Sequence, residues 1–264
     1  MATDPGTSPA PVGLSDATQA HEFEVRNTTG DDGPRFSSHS PVLYIDTCSV
    51  LDIMRDPTRK TPGAHDRIAA IDVVDAVETG RVRCIFAQQV SIEFEQHCEA
   101  THREAQKGID RVKAELANVT SAARVFGKVP DIELGHFDGH VENTRSLVAR
   151  LVGHREVVVP EAIVHSQAYA RMNMGRAPAS LGKESSKDCL VYLTVLEHAK
   201  ALRQSGHTGA MVFLSSNTND YTTAARKARP EILEDFGQLG MEYAPGMGAA
   251  WHLLGLQSGP GRAA

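Results

Sequence analysis

Apolar residues fall along this chain in two rhythms. Val42 to Ile45 and Met211 to Leu214 are short apolar runs without polar alternation, the pattern of strands covered on both faces, and Val82 to Phe86, interrupted only by Arg83, is a further strand candidate. Met241 to Tyr243 is a weaker fourth candidate. Between these runs the apolar residues recur at helical spacing. After Asp46, a helix carries Val50, Leu51 and Met54. From about Ala64 to Thr79 the spaced residues are Ile68, Ile71, Val74 and Val77, and Gly80 supplies the stop. Val90 to about Phe126 is mainly helical and highly charged, breaks around Gly127 to Pro130, and is followed by a helix bearing Leu147, Val148 and Leu151. Val157 to Val159 ends at Pro160; Glu161 to about Met174 reads as a helix and Gly175 to Lys183 as a loop. Ser185 or Ser186 can then cap a helix dominated by Leu190, Val191, Leu193, Val195 and Leu196, which should be deeply buried. Helical segments and a short amphipathic close with Trp251, Leu253 and Leu254 complete the pattern. Strands alternating with helices predict an α/β fold with a mainly parallel sheet, because parallel strands need crossover connections.

Composition narrows the function classes. With 264 residues and 41% hydrophobic content the chain can build a sizeable core. Met1 to about Ser40 is rich in Pro, Gly, Ser, Thr and Asp and predicts a disordered tail, as does 257–264, which leaves one domain over about 41–256. No stretch approaches the roughly 18 to 20 consecutive apolar residues of a membrane span, and no signal peptide is apparent, so no membrane partner and a cytoplasmic location are expected. The four cysteines are far apart without a C-x-x-C pair, which predicts buried thiols rather than a zinc site or disulfides. A formal net charge of -6 opposes indiscriminate polyanion binding, so nucleic-acid contact would need local basic clusters or metal ions held by acids.

In open α/β sheets, functional groups gather at the carboxyl ends of strands. Asp46 follows the first strand, and the polar run Ser215 to Asp220 follows the third. Taken singly, Asp46 is as well explained as a helix N-cap. Glu93 lies in a helical turn between Ile92 and Phe94, and Asp188 opens the apolar helix, where the helix dipole favours an acid in any case. A haloacid-dehalogenase phosphatase needs a second Asp where Cys48 stands, a D-x-S-x-S metal site fails at Cys48 and Val50, and no phosphate-cradling glycine loop follows a strand. His136 with His140, and Cys98 with His102, have i, i+4 spacing, but Gly135 and Gly139 weaken the first pair and a surface helix accounts for the second.

The combination of acids resembles the PIN-domain nuclease superfamily, whose members carry an Asp ending the first strand, a Glu early in a later helix, an Asp opening another helix, and an Asp or Asn after a late strand. The matching positions are Asp46 in VLYIDTCSVL, Glu93 in QQVSIEFEQH, Asp188 in ESSKDCLVYLTVLEHA, and Asn217 with Asp220 in VFLSSNTNDY. The resemblance is closest to the larger bacterial PIN-like proteins. It implies a three-layer α/β/α fold with a mainly parallel central sheet and a helical insertion over about residues 97–180. It also implies a magnesium or manganese cofactor, with Asp46 and Asp188 as direct ligands and Glu93 as a ligand or the group that positions the attacking water. Asn217 or Asp220 would act from an outer shell; Asn217 stands where many relatives have Asp. Glu184 is a candidate supporting ligand, and Glu95 is the alternative to Glu93. Ser49 or Thr47 could donate a hydrogen bond to Asp46 or to a phosphate, or serve as an ordinary cap. Arg55, Arg59, Lys60, Arg176, Lys183, Lys187, Arg226 and Lys227 are candidate phosphate contacts.

The function implied is metal-dependent cleavage of RNA, in the manner of an endoribonuclease, with RNA as substrate. A toxin of a toxin–antitoxin pair is included, so that an antitoxin protein and a homodimer join the candidate partners. Two rivals stand beside it: a catalytically weak PIN-like module that binds RNA or protein, and a structure-specific DNA nuclease.

Overall fold

The computed structural model describes residues 36–130 and 132–256. Five strands form one sheet: β1 (Val42–Ile45), β2 (Arg83–Ala87), β3 (Arg155–Val158), β4 (Met211–Leu214) and β5 (Met241–Ala244). Every pairing is parallel and the strand order is β3-β2-β1-β4-β5. The helices are α1 (Thr47–Asp52), α2 (Ala64–Glu78), α3 (Gln88–Arg124), α4 (His140–Gly153), α5 (Ala162–Asn173), α6 (Ser186–Gln204), α7 (Thr218–Tyr221), α8 (Pro230–Leu239) and α9 (Met247–Leu253). On one side of the sheet α2 packs between α4 and α9; on the other α6 touches α5, α3 and α8. The result is a three-layer α/β/α sandwich.

The central strands are apolar at every position because both of their faces are covered. All four residues of β1 and of β4 are buried, and they join Val73, Val74, Leu151 and Val191 in one continuous core. Local chemistry sets the helix ends. Pro230 opens α8, and Gly240, at φ 59, closes it in the left-handed conformation that a side chain would disfavour. Arg203 then ties α6 to that terminus, donating from Nε to the Leu239 carbonyl at 2.7 Å and from Nη2 to that of Gly240 at 3.0 Å.

Three expectations change. The stretch 97–180, expected as a helical insertion, contains β3, whose residues pair with Cys84 to Ala87. This strand sits at the sheet edge, half-buried throughout, and its first residues are Arg155 and Glu156, so it lacks an apolar signature. Glu156 is held by Arg83 of the neighbouring strand at 2.7 Å. In α6, Val191 and Val195 are buried but Leu190, Leu193 and Leu196 are only partly so; Cys189, Tyr192, Thr194 and Ala199 complete the buried face.

The third change concerns the expected tails. Residues 1–35 and 257–264 lie outside the described residues, as does the His136 side chain, so the His136–His140 pair does too. Residues 36–40, however, pack against the turn that leads into β4: the Ser38 carbonyl accepts from Thr208 N–H at 2.8 Å and Gly209 N–H at 3.3 Å. A Cβ on Gly209 would meet the His39 carbonyl oxygen at 2.5 Å, whereas one on Gly237 in α8 meets nothing within 4 Å. Urea denaturation should therefore show opposite signs. Gly209→Ala is expected to cost about 1 to 3 kcal/mol, because backbone has to move, and Gly237→Ala to gain up to about 1 kcal/mol of helix propensity. A neutral Gly209→Ala would show that residues 36–40 are not held there.

Candidate active site

The strand order reverses between β1 and β4: the chain steps to β2 and β3 on one side, then returns to build β4 and β5 on the other. Such a switch point leaves a crevice beyond the carboxyl ends of the two central strands. Ile45 is in register with Leu214, so the residues that follow them meet across it. Those residues are Asp46 and Ser215, and Ser215 Oγ donates to Asp46 Oδ2 at 2.7 Å. Cys48 Sγ donates to the same oxygen at 3.1 Å, and Thr47 N–H to Oδ1 at 2.7 Å. Asp46 is thus the N-cap of α1 and a buried carboxylate at the switch point at once. Of the hydroxyls considered as its donors, Thr47 Oγ1 instead serves Glu93 Oε2 at 2.9 Å, while Ser49 Oγ accepts from Ser216 N–H at 2.8 Å.

Glu93 lies in the second turn of α3, half-buried, with Gln89 Nε2 donating to its Oε1 at 2.9 Å. Asp188 is in the first turn of α6. Asp220 belongs to α7 and is only 3% exposed, because the next residue, Tyr221, is anchored among Tyr192, Phe213 and Tyr243. Asn217 Nδ2 donates to Asp220 Oδ2 at 2.7 Å, and Lys183 Nζ reaches Oδ1 and Oδ2 at 2.6 and 2.5 Å. Tyr243 completes this aromatic floor by donating its hydroxyl to the Ser215 carbonyl at 2.7 Å.

The negative charges share one neighbourhood. Burial raises Asp188 to about 7, with Asp46, Asp220 and Glu93 adding to the rise and Lys183 opposing it. Asp46 is raised as well, by burial first and by Glu93 last, while its three donors pull the other way. Burial and the Asp46 charge push the Cys48 thiol up to about 12, so it stays a protonated donor. Among the described residues, no three Asp, Glu, His or Cys side chains form a ready-made metal-ligand group. The carboxylates of Asp46, Glu93 and Asp220 are each turned to donors of the protein itself. The site nonetheless fits a hard divalent cation chemically: its donors are carboxylate oxygens, and Asp188 is raised by burial first and then by neighbouring anionic charge that Lys183 opposes.

A family model for the PIN domain matches residues 43–221. The chain belongs to the PIN-domain family. Searches of curated proteins and of solved structures return no match. The matched span of the PIN domain includes Asp46, Glu93, Asp188, Asn217 and Asp220, and its fold is of the nuclease type.

Other candidate residues of this PIN domain have different partners. Ser185 stands at the N-cap of α6 as expected, but its side chain makes no cap hydrogen bond; Glu184 instead accepts from Ser186 N–H at 2.9 Å and from the Ser186 hydroxyl. Glu95 is exposed, one residue past the turn where Phe94 is buried. Several candidate phosphate contacts are already paired: Arg55 with Asp52, Arg59 with Glu104, Arg176 with Asp235, and Lys183 with Asp220. Lys60, Lys187, Arg226 and Lys227 are exposed. Cys84, Cys98 and Cys189 are buried thiols as expected, but Cys48 is partly exposed. Beside Thr47 and Glu93 a cleft of about 360 Å³ runs between α1 and α3, past Arg55 and His97. The sequence reading missed Ser215 and Cys48 as donors to Asp46; the usable signal was that Ser215 follows its strand as directly as Asp46 follows its own.

The raised Asp188 makes stability depend on pH. Its value of about 7 in the folded chain exceeds the ordinary 3.8 of an unfolded one, so the stability it contributes is fully present below 3.8 and is lost as pH rises through about 7. In EDTA, wild type should lose stability from about pH 4 to 7 relative to Asp188→Asn, and the variant should be the more stable at pH 8. Parallel denaturation curves for the two proteins across that range would remove Asp188 from the electrostatic cluster.

Proposed function

We propose that this PIN domain is a metal-dependent endoribonuclease that hydrolyses RNA phosphodiester bonds. One observation carries the proposal: Asp46, Glu93 and Asp220 are all close enough to Asp188 for their charges to act on it, beside the switch point between β1 and β4. A bound magnesium or manganese ion, held by Asp46 and Asp188 with Glu93 and Asp220 in support, would polarise a phosphate oxygen and lower the pKa of a water. The chain's own residues prepare for this. Ser215, Cys48 and Thr47 fix the orientation of Asp46. Thr47 and Gln89 hold Glu93, whose carboxylate can take a proton from an attacking water. The acidic site repels phosphate, so RNA has to be gathered by cations at its margin, and exposed Lys60, Lys187, Arg226 and Lys227 are suited to that.

The rival of a module that binds without cutting draws on Asn217, which here donates to Asp220 in place of adding a charge. Incubation with mixed RNA and, separately, single- and double-stranded DNA distinguishes the readings. RNA cleavage is expected with magnesium or manganese and none in EDTA. Asp46→Asn and Asp188→Asn should each lose several kcal/mol of transition-state stabilisation, roughly a hundredfold or more in rate, while Glu95→Gln keeps near wild-type activity. Cleavage that persists in EDTA or in the two Asn variants would overturn the nuclease mechanism, and cleavage of DNA alone would overturn the RNA substrate.

A further inference from the structure

Lys183 is unusual among the cations around the site. Its ammonium contacts both oxygens of Asp220, at 2.6 and 2.5 Å, and Asn217 shares one of those oxygens. The two partners differ in environment: the Asp220 side chain is 4% exposed and that of Lys183 50%. The carboxylate cannot leave, because it is built into α7 above the aromatic floor. The ammonium can, because its stem already reaches solvent and its hydration is recovered on release. Lys183 also comes from a different part of the chain than the acids, namely the connection from α5 to α6. That connection contains Gly175 and Gly182 at φ 61 and 79, and the Leu181 side chain lies where a Cβ on Gly175 would be.

A second cation on the same carboxylate would be repelled by the first. At contact distances that repulsion is of the same order as the attraction of either cation for the acid. Asp220 therefore holds Lys183 or a divalent ion, and not both on equal terms.

We propose that Lys183 is a built-in counter-ion of the acidic site, holding on Asp220 the position that a divalent cation takes, so that metal uptake releases Lys183 and frees its ammonium for an anionic ligand. The inference rests on reading the site as a metal site. By linkage, whatever captures the released ammonium, such as a phosphodiester, tightens metal binding in return. Metal and substrate then favour each other's arrival, and the site is not left as bare negative charge before they come.

Calorimetric titration of the full chain with manganese tests this independently of cleavage. Lys183→Met and Lys183→Gln, which keep much of the stem and remove the charge, should bind manganese on the order of tenfold more tightly than wild type. Lys187→Met removes a charge one residue from Asp188 and should change affinity much less. In an Asp220→Asn background, Lys183→Met should bring much the smaller gain, because only the longer-range effect of its charge on Asp188 is left. Unchanged or weaker binding in both Lys183 variants would overturn the proposal. So would an equal gain in Lys187→Met, a gain of undiminished size in the Asp220→Asn background, or no manganese binding in any variant. The two proposals separate cleanly. RNA cleavage with unaltered manganese affinity in the Lys183 variants sinks the counter-ion alone, and tightened affinity without cleavage sinks the nuclease alone.

Discussion

A carboxylate buried at the end of a central strand can be kept only if the protein supplies donors for it, and Asp46 is the constraint around which this fold is arranged. Its donors come from its own helix start, Thr47 and Cys48, and from the neighbouring strand end, Ser215. The parallel register of β1 with β4 brings the last of these into reach. Ser215 is placed in turn by the Tyr243 hydroxyl on its carbonyl, and Tyr243 stacks on Tyr221, the neighbour of Asp220. The elements at the carboxyl edge are thereby linked through one chain of contacts to the charge they surround. Hydrogen bonds orient and stabilise that charge without cancelling it, and this leaves Asp46 able to act on Asp188.

How much of this was legible in the sequence differs between elements. The buried strands β1 and β4 announce themselves by unbroken apolar runs and β2 by Cys84 to Ala87 after Arg83, and Asp46 is conspicuous because it ends one of them. Glu93 and Asp188 become significant only through the family pattern, since a single acid in a first or second helical turn has ordinary explanations. Edge strand β3 begins with Arg155, which donates to the Val152 carbonyl and the Ser91 hydroxyl, and Glu156, which pairs with Arg83 of the next strand, so it carries no unbroken apolar run. Ser215 and Lys183 were in view as a polar strand end and a candidate phosphate contact, but their carboxylate partners were hidden for a related reason. Their importance is relational, residing in a distance to a carboxylate far away in sequence, 169 positions for Ser215 and 37 for Lys183. Glu184 shows the converse: proximity to Asp188 in sequence suggested a ligand, and the carboxylate is spent on Ser186 at the start of α6.

The net charge of -6 is consistent with this picture because the distribution matters more than the sum. Much of the basic charge is already engaged in ion pairs such as Arg150 with Asp75 and Arg171 with Asp235. A site built this way favours small cations at short range and repels polyanions.

The long helix α3 has a mechanical consequence. With 37 residues it is a rod of about 55 Å at the usual helical rise. Its first turns are clamped by α1, β2 and the Thr47–Glu93 hydrogen bond. Beyond Ile109 its side chains are mostly exposed, with Thr120 the one buried residue before the end, and Val125 and Phe126, just past its terminus, are 79% and 93% exposed. Its outer half is held more lightly, by ion pairs of Arg111 with Asp56 and of Lys113 with Asp138. A load at the tip therefore meets exposed ion pairs before it meets packed core, and the turns that carry Glu93 are the most firmly seated part of the helix.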